Sequence, residues 1–470
     1  MRRTGAAMLL AAWFFALPGV AVAGVPAKFV FLFIGDGMGP SQVRAAETVL
    51  RAKSGAGAFA ISALPVRGTA ATHSAGFRVT DSAAAATALA SGRKTANGVI
   101  GMDPAGQVPF ESIAEAARGR GFKVGIVTSV PLDHATPAAF YAHRPSRKDL
   151  YEISLQAADS GFDYFAGGPF TRPTGPKKDA PDSVDKARSR GYRVVLDKEG
   201  FAQLGRGAGK TMVFARVASG QGGRGLSLAE LTARGAEILE GPAGFFMVVE
   251  GGKIDWACHA NDAAGAVSET LAFDGAVGAA LAFARRHPEE TLVVVTGDHE
   301  TGGMVFDPPD AEEAAKAGRI LSRQGSAAAF EERFSAYRKT LGGKPGRLED
   351  VLPLARAFFG FRRPEDPPGD EGLTLSGEER EALRAAFRAS LETEGAPGGK
   401  GAAYLRYGGC DPLTITLTRI RDGKAGIRWG TCSHTDRPVP VYARGRGQEL
   451  FAGPCDNTDI PGKIRRAMGF

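Results

Sequence analysis

The chain has 470 residues, and its 58 lysine and arginine residues outnumber its 51 aspartate and glutamate residues, which gives a formal net charge of +7. This charge is spread along the chain. No dense basic block with interleaved aromatic residues occurs, so a nucleic-acid partner is not expected. The length suits one large α/β domain with insertions.

The N-terminus has the features of an export signal. Arg2 and Arg3 precede the apolar stretch GAAMLLAAWFFALPGV, and Ala21-Val22-Ala23 resembles a cleavage site of the A-x-A type. The stretch is short for a membrane span, so a retained anchor is the weaker alternative. We predict a signal peptide over residues 1–23 and a mature chain of residues 24–470 in the periplasm or secreted. We expect no later apolar run of spanning length and no membrane attachment after cleavage.

Four continuous apolar runs predict buried parallel strands. They are KFVFLFIG at 28–35, FKVGIVTS at 122–129, GFFMVVEG at 244–251 and TLVVVTG at 291–297. Helical patterns such as FESIAEAARGRG lie between them. This alternation predicts an α/β fold with a large, mostly parallel central sheet and helices on both faces.

Two regions of this single domain are predicted to be insertions, at about 170–240 and about 308–402. The first begins with the turn-rich RPTGPKKDAPD, and the second contains polar helices and breaks rich in glycine and proline. Within the second, Ser376 and Glu379 form a capping-box pattern, and Leu383 and Phe387 lie on one helix face. We expect a surface helical subdomain there.

The cysteines say little about function. In an exported protein a disulfide can form among the three that cluster near the C-terminus, and the sequence does not choose the pairing. The four cysteines are Cys258, Cys410, Cys432 and Cys455.

The stretch TDSAAAATALASG, residues 80–92, predicts the start of a helix. Thr80, Asp81 or Ser82 can cap it, and the alanines that follow are strong helix formers. A serine at a helix start also lies where N–H groups and the positive end of the helix dipole favour an anion. This stretch alone fits either a plain cap or a nucleophile.

Acidic residues, histidines and one threonine lie at or just after the ends of the four predicted strands. Ligands bind at the carboxyl ends of strands in open parallel sheets, and a mixture of imidazole and carboxylate ligands suits zinc, whereas oxygen ligands alone suit magnesium. Taken singly, the Asp255–His259 pair could be a surface pair, and Asp298–His299 a loop cap. The residues are Asp36, His134, Thr136, Glu250, Asp255, His259, Asp298 and His299.

Together these motifs resemble those of alkaline phosphatases. The stretches IGDGMG, TDSAAAATALASGRKT, HATPAAFYAH, VEGGKIDWACHAND, VVTGDHETGG and HTDRPVPVYARG occur in the family's order and approximate spacing, across residues 28–304 and 430–445. Any one motif is weak, and the set is specific. The resemblance implies an alkaline-phosphatase-like fold, hydrolysis of phosphate monoesters, a phosphoserine on Ser82, and a homodimer.

The resemblance also implies the cofactors and their ligands, two zinc ions and one magnesium ion. One zinc would be held by Asp255, His259 and His434, the second, beside Ser82, by Asp36, Asp298 and His299, and magnesium by Asp36, Thr136 and Glu250. Arg147 would bind the substrate phosphate, since it follows Thr136 by eleven residues as in the family. The nearby Arg144 is the alternative.

Two positions depart from the best-known enterobacterial form, which has aspartate in place of His134 and lysine in place of Trp256. Imidazole is a poorer partner for magnesium and a good ligand for zinc or cobalt, so the third site is expected to take either of these metals in place of magnesium. Indole offers one donor and no charge. We therefore expect weaker magnesium retention and weaker binding of product phosphate.

These observations predict an exported, metal-dependent phosphatase with a broad range of small phosphomonoester substrates. Two alternatives remain: a phosphodiesterase or sulfatase of the same superfamily, and an exported metal- or phosphate-binding protein without turnover. The nucleophile motif that sulfatases require is not found, and a metal store needs neither Ser82 nor Arg147. The remaining histidines, His73, His143 and His287, are expected to be ordinary hydrogen-bond partners.

Overall fold

The computed structural model describes residues 26–54, 59–220, 224–306, 318–320, 322, 325–342, 344–362, 366, 370–392 and 407–470. The predicted signal peptide, 1–23, lies outside the described residues. So do the glycine- and proline-rich break near residue 400 and most of the one near residue 367.

The strands of the described residues form one large sheet and two small pairs. They are β1 (Phe29–Gly35), β2 (Val66–Ala71), β3 (Lys123–Pro131), β4 (Tyr164–Gly168), β5 (Arg193–Val195), β6 (Thr211–Phe214), β7 (Phe245–Glu250), β8 (Thr291–Gly297), β9 (Glu300–Thr301), β10 (Val305–Phe306), β11 (Ile427–Arg428), β12 (His434–Thr435), β13 (Val439–Gly445) and β14 (Gly453–Asp456).

The helices connect these strands and cover the sheet. They are α1 (Pro40–Ser54), α2 (Ser82–Ser91), α3 (Ile113–Gly119), α4 (Ala135–Ala138), α5 (Leu150–Asp159), α6 (Ser183–Ser189), α7 (Lys198–Ala202), α8 (Leu228–Leu239), α9 (Lys253–His259), α10 (Ala263–Ala284), α11 (Ala327–Leu341), α12 (Leu348–Phe359), α13 (Gly377–Glu392), α14 (Pro412–Lys424) and α15 (Asp459–Met468).

The large sheet has ten strands in the order β14-β2-β13-β8-β1-β7-β3-β4-β6-β5. The four strands predicted from apolar runs, β8, β1, β7 and β3, are neighbours at its centre and are all parallel. β13 is the exception, because it runs antiparallel to both β8 and β2. The prediction of a mostly parallel α/β sheet is therefore confirmed.

Alternate residues of β1 enter two separate apolar cores, because successive side chains of a strand point to opposite faces. Phe29, Phe31 and Phe33 pack on one face with residues of α1, α8 and α10. Val30, Leu32 and Ile34 pack on the other face with residues of α2, α3 and α15. Each such side chain contributes about 1.5–3 kcal/mol when fully buried. The continuous apolar run in the sequence is thus explained by helices on both faces.

The long helix α10 corrects one expectation. By length and composition alone it could cross a membrane, with a mean hydropathy of 1.3 in its most apolar window, although no further run of this kind was expected. Of that window, 61% is buried inside the fold. Its apolar composition is therefore accounted for by packing against α1, α8 and α9.

Residues 170–240, expected to be an insertion, contribute to the central sheet itself. β6 pairs with β4, and β5 pairs with β6 to form one edge of the sheet. α8 packs across α10, β3 and β4. This region therefore extends the sheet beyond the strands that the apolar runs identified.

The described helices of the second predicted insertion have an apolar cluster of their own. Phe330, Phe334, Leu383 and Phe387 are among its buried members. The capping box at the start of α13 is present, since Glu379 N–H donates to Ser376 Oγ and Ser376 N–H donates to the Glu379 carboxylate. The two sequence patterns noted here are therefore confirmed.

All four cysteines carry free thiols. Cys410 packs in the same small apolar cluster as Cys432. Cys455 is on β14 and packs against the core on the other side of the sheet, and Cys258 is fully buried in α9. Of the three C-terminal cysteines, Cys410 and Cys432 therefore form the adjacent pair.

Candidate metal centre

The carboxyl ends of three central strands lie side by side at one edge of the sheet. β1 lies between β7 and β8 and is parallel to both, so their carboxyl ends reach the same edge of the sheet. Glu250 is the last residue of β7, and Asp36 and Asp298 directly follow β1 and β8. All three carboxylates are fully buried. The sheet topology therefore brings together acidic residues that are far apart in sequence.

A glycine turn aims Asp36 into the site. Gly37 has φ +74°, a conformation that other residues rarely adopt, and a Cβ there would lie 2.8 Å from the Cα of Asp255. The Gly37 N–H also donates to Asp298 Oδ1 at 3.1 Å. Only glycine fits at position 37 of the IGDGMG motif, because α9 approaches the backbone closely there.

The ligand atoms of the predicted residues fall into three groups, each with its atoms within 4.8 Å of one another. Groups 1 and 2 contain the residues that the resemblance assigned to the two zinc ions. Group 3 shares Asp36 with group 2. Group 1 is Asp255, His259 and His434; group 2 is Asp36, Asp298 and His299; and group 3 is Asp36, His134 and Glu250.

Backbone carbonyls fix the two histidines of group 1. His259 Nδ1 donates to the Cys432 carbonyl at 2.6 Å, and His434 Nδ1 donates to the Thr80 carbonyl at 2.9 Å. A carbonyl can only accept, so each Nδ1 carries a proton and each Nε2 is available as a ligand. The two Nε2 atoms lie 3.1 Å apart, so a proton or a cation must lie between them.

The charge balance of group 1 favours an ionised carboxylate. Burial alone would raise the pKa of Asp255, but its contact with His259 outweighs burial and lowers that pKa well below its usual range. Burial alone would lower the pKa of His259, yet the same contact raises it to about 9. Burial lowers the pKa of His434. Asp255 therefore supplies a negative charge beside two imidazoles.

Group 2 lies beside Ser82. His299 Nε2 is 3.5 Å from Asp36 Oδ1 and 3.4 Å from Asp298 Oδ2, and it is 3.2 Å from Ser82 Oγ. Burial, followed by repulsion from His434, lowers the pKa of His299 well below its usual range. The imidazole of His299 is therefore neutral at physiological pH, as a metal ligand must be.

Group 3 includes His134 and has Thr136 at its side. His134 Nδ1 lies 3.4 Å from Glu250 Oε1 and 3.9 Å from Asp36 Oδ2. The Thr136 hydroxyl donates to Asp36 Oδ2 at 3.4 Å, and the Thr128 hydroxyl donates to Glu250 Oε2. Thr136, expected as a magnesium ligand, is thus adjacent to the shared carboxylate.

Four buried polar atoms of groups 2 and 3 have no hydrogen-bond partner. An unpaired buried group costs about 1–3 kcal/mol, and more when it is charged. A cation ligated by these oxygen and nitrogen atoms would remove that penalty, so the residues fit divalent cations. The four atoms are Asp36 Oδ1, His134 Nδ1, Glu250 Oε1 and Asp298 Oδ2.

Ser82 occupies the first position of α2, and the preceding Asp81 is the cap. Asp81 Oδ1 accepts from Ala84 N–H at 3.0 Å, which selects among the three caps that the sequence allowed. Ser82 is only 2% exposed, and all of α2 except Ser91 is buried. The alanines let this helix pack closely against the core, with the serine at its N-terminus beside group 2.

Arg147, rather than Arg144, reaches the site. Its Nη1 donates to Asp81 Oδ2 at 3.0 Å, and its Nη2 lies 3.3 Å from His134 Nε2. Arg144 instead forms an ion pair with Asp149 at 2.9 Å. The structure thus places Arg147 between the serine helix and group 3.

Trp256 is at the rim of the site. It is 48% exposed, and its ring centroid lies 6.4 Å from that of His134, with the two rings nearly perpendicular. It is the neighbour of Asp255 on α9. The two positions that depart from the enterobacterial form are therefore in contact range of each other.

The three remaining histidines lie among other partners, as expected. His143 Nε2 is 2.9 Å from Glu115, and this contact raises the pKa of His143. His73 pairs with Asp456 at 3.2 Å, and His287 pairs with Glu240 at 3.3 Å.

Sequence reasoning missed several side chains that support the site. Asp81 was considered only as a cap, although it also holds Arg147. Glu300 is buried and accepts from Gln42 Nε2, from two backbone N–H groups and from the Thr435 hydroxyl. A carboxylate inside the buried motif GDHETGG was a usable signal, because such a group needs donors.

Removing bound cations should make the stability of the fold depend on pH. In a cation-free site, burial and then repulsion between carboxylates raise the pKa values of Asp36 and Asp298 above the ordinary 3.8. The folded state then binds more protons than the unfolded chain. Its free energy of unfolding should therefore fall as pH rises from about 4 through the raised values.

The measurement is denaturant unfolding of metal-stripped and metal-loaded protein between about pH 5 and about pH 8. We expect a clear decline of stability with pH for the stripped protein and a much flatter profile for the loaded protein. Equal slopes for the two forms would contradict the charge repulsion inferred for this site.

Comparison with known proteins agrees with this geometry. A family model described as alkaline phosphatase matches residues 27–167 and 164–340. Alkaline phosphatase 4 of Bacillus subtilis (strain 168) is 31% identical over 451 residues, which cover 92% of this chain and 86% of that protein. The match thus extends over most of both chains.

Solved structures are similar over nearly the whole chain. Thermus thermophilus alkaline phosphatase has a TM-score of 0.77 and 26% identity, covering 95% of this chain and 92% of that one. A TAB5 alkaline phosphatase mutant with histidine changed to aspartate, and with Mg bound in the M3 site, has a TM-score of 0.65 and 25% identity, covering 95% of this chain and 99% of that one. The chain therefore belongs to the alkaline phosphatase family and is an enzyme that hydrolyses phosphate monoesters.

Proposed function

We propose that the reaction proceeds through a phosphoserine formed on Ser82, with two zinc ions and one magnesium ion as cofactors. The observation that carries this proposal is the position of Ser82 Oγ, 3.2 Å from His299 Nε2 in group 2. A serine placed only to cap a helix would have no reason to lie beside a carboxylate–imidazole cluster. The capping role here belongs to Asp81.

The ligand types support the assignment of the metals. Groups 1 and 2 combine imidazole nitrogen with carboxylate oxygen and would hold zinc. Group 3, with the nearby Thr136 hydroxyl, would hold magnesium, and His134 makes it suitable for zinc or cobalt as well. When bound, these cations lower the pKa of the serine hydroxyl and stabilise charge on the attacking and leaving oxygens.

The residues of the chain perform the remaining steps. The Ser82 hydroxyl loses its proton to water, and its Oγ forms a bond to phosphorus as the ester P–O bond breaks; the leaving alkoxide takes a proton from water. A water molecule then attacks phosphorus and loses one proton, the Ser82 Oγ–P bond breaks, Ser82 Oγ regains a proton, and inorganic phosphate is released. The Arg147 guanidinium binds two phosphate oxygens as a fork, and the N-terminus of α2 faces the same anion.

The open rim of the site supports a broad range of small phosphomonoester substrates. Arg147 is 28% exposed and Trp256 is 48% exposed, so the side of the site away from the metal groups faces solvent. Discrimination between alcohols should therefore be weak.

We also propose that the chain is exported, with residues 1–23 removed and the mature enzyme in the periplasm or secreted. The basic start and the A-x-A site support this. The mature enzyme would act on small molecules, without nucleic-acid or membrane partners. A homodimer is proposed from the family resemblance alone.

An assay with two chromogenic esters tests the reaction class and the metal requirement. The protein should release p-nitrophenol from p-nitrophenyl phosphate much faster than from the bis ester. A chelator should abolish this activity, and zinc should restore it better than calcium, because calcium binds imidazole poorly. Faster hydrolysis of the bis ester would favour the diesterase alternative, and metal binding without turnover would favour a binding protein. Full activity after chelation would overturn the metal assignment.

Replacing Ser82 with alanine should remove the phosphoenzyme and most of the turnover. Zinc binding should largely survive, because the ligands of group 2 are unchanged. Some hydrolysis can persist by direct attack of water. The measurement is covalent trapping of labelled phosphate at mildly acidic pH, together with zinc content. The matched control is Ser91→Ala at the other end of α2, which should still be labelled. Labelled phosphate bound covalently to Ser82→Ala would show that a residue other than Ser82 is the nucleophile.

The double change His134→Asp with Trp256→Lys should strengthen magnesium activation and tighten inhibition by inorganic phosphate. A carboxylate suits magnesium better than imidazole, and the TAB5 mutant with histidine changed to aspartate has Mg in its M3 site. An added ammonium at a partly exposed position contributes on the order of 1 kcal/mol, roughly a fivefold to tenfold tighter inhibition constant. Both quantities are measured at one pH, with wild type alongside.

The control for added charge is Leu196→Lys, at an exposed residue directly after β5, the strand at one edge of the sheet. It should leave phosphate inhibition unchanged. No change of either quantity in the double variant would show that His134 and Trp256 do not tune the third site. A slower phosphate release should also lower kcat, if release limits turnover.

A further inference from the structure

Thr301 lies between two of the metal groups. Its hydroxyl donates to Asp255 Oδ1 at 2.6 Å and is 3.2 Å from His299 Nδ1. The side chain is fully buried. One hydroxyl therefore contacts a ligand of group 1 and a ligand of group 2, although neither the sequence motifs nor the mechanism above assigns it a role.

The single proton of this hydroxyl fixes the direction of both contacts. Asp255 is held as a carboxylate and can only accept, so the Thr301 proton points to Asp255 Oδ1. The oxygen of Thr301 must then accept from His299 Nδ1–H. His299 is thereby held in the tautomer whose Nε2 lone pair faces Ser82 and the carboxylates of group 2.

His299 differs in this respect from the two histidines of group 1. Those rings are fixed by backbone carbonyls, which can only accept and therefore determine the tautomer on their own. A hydroxyl can donate or accept, so on its own it would leave the tautomer of His299 undetermined. The contact between Thr301 and Asp255 removes that freedom. The tautomer in group 2 thus depends on the carboxylate of group 1.

The backbone holds Thr301 in place for this task. Its N–H donates to the Gly37 carbonyl at 3.2 Å, and its carbonyl accepts from Gln42 Nε2 at 3.0 Å. On β9 it is the strand partner of His434, a further ligand of group 1. The hydroxyl also holds Asp255 so that Oδ2 faces His259 at 3.3 Å. Small shifts of Thr301 would therefore disturb both groups.

We propose that Thr301 is a positioning residue that couples the two zinc sites, by orienting the Asp255 carboxylate and by holding His299 in its metal-binding tautomer. This inference rests on the zinc assignment of the proposed function. It predicts that loss of one hydroxyl weakens zinc binding at both sites together, rather than at one of them.

The experiment compares Thr301→Val, which keeps the shape and loses the hydroxyl, with Thr301→Ser, which keeps the hydroxyl. Zinc affinity is measured by competition with a chromophoric chelator on the full-length mature chain. Thr301→Val should bind both zinc ions about 10- to 100-fold more weakly, the usual effect of losing a partner of a metal ligand. Thr301→Ser should stay within a few-fold of wild type. The matched control is Thr270→Val, which removes a buried hydroxyl bonded to the Ala266 carbonyl in α10 and should leave zinc affinity unchanged.

The outcomes distinguish a failure of the role of Thr301 from a failure of the zinc assignment. Wild-type protein that binds no zinc would overturn the proposed function itself. If wild type binds zinc, then equal affinity in Thr301→Val, loss at only one site, or equal loss in Thr301→Ser or Thr270→Val would each overturn the role of Thr301.

A second measurement does not depend on the folding of any variant. The chain has 7 histidines, so nitrogen-15 labelling of histidine gives few ring signals in the zinc-free wild-type protein, where no metal fixes the tautomer. We expect His299 to carry its proton on Nδ1. A proton on Nε2 of His299 would refute the proposal directly.

Discussion

The crowding of buried carboxylates at one edge of the sheet is the constraint on which the rest of the site depends. Asp36, Glu250, Asp255 and Asp298 are each at most 5% exposed. Burying an ionised carboxylate without a partner costs several kcal/mol, and mutual repulsion adds to that cost. Divalent cations offset both terms, because they replace the lost water ligands and neutralise the charge. The same positive charge also attracts a phosphate dianion. Cations that offset the repulsion among the buried carboxylates are therefore also suited to bind the substrate phosphate.

A long segment of the chain, here called the excursion, separates β10 from β11 and precedes His434. His434 contacts His259 across a sequence separation of 175 residues. The excursion begins after β10 and returns at β11, and these two strands pair with each other, Val305 with Arg428 and Phe306 with Ile427. The described helices of the excursion pack around their own apolar cluster, and they reach the site through Cys410, whose thiol donates to the His259 carbonyl at 3.5 Å. The closure entropy of a long loop grows only slowly with its length.

The sequence predicted the central strands and the side chains that the structure brings into the three candidate metal groups, and it missed what surrounds them. β1, β3, β7 and β8 were recognisable because burial on both faces requires continuous apolar runs, and polar residues directly after such runs mark the carboxyl edge of the sheet. β2, by contrast, has only one fully buried residue in the pattern VRGTAA, and β14 is GPCD, so neither carries a periodic signal. Contacts such as those of Thr301 and Glu300 join residues whose proximity follows from tertiary folding alone, and no spacing rule reveals them.

Asp81 shows why the serine and the arginine behave as one unit. One carboxylate oxygen caps α2 through Ala84 N–H, and the other accepts from the Arg147 guanidinium and from Gly98 N–H, each at 3.0 Å. The helix that carries Ser82 and the Arg147 guanidinium are therefore held by the same carboxylate. A displacement of α2 would move both together and preserve the distance between Ser82 and the Arg147 guanidinium. That coupling matters because catalysis by positioning is lost with misplacements of about 1 Å, which a half-buried arginine on an independent loop would readily undergo.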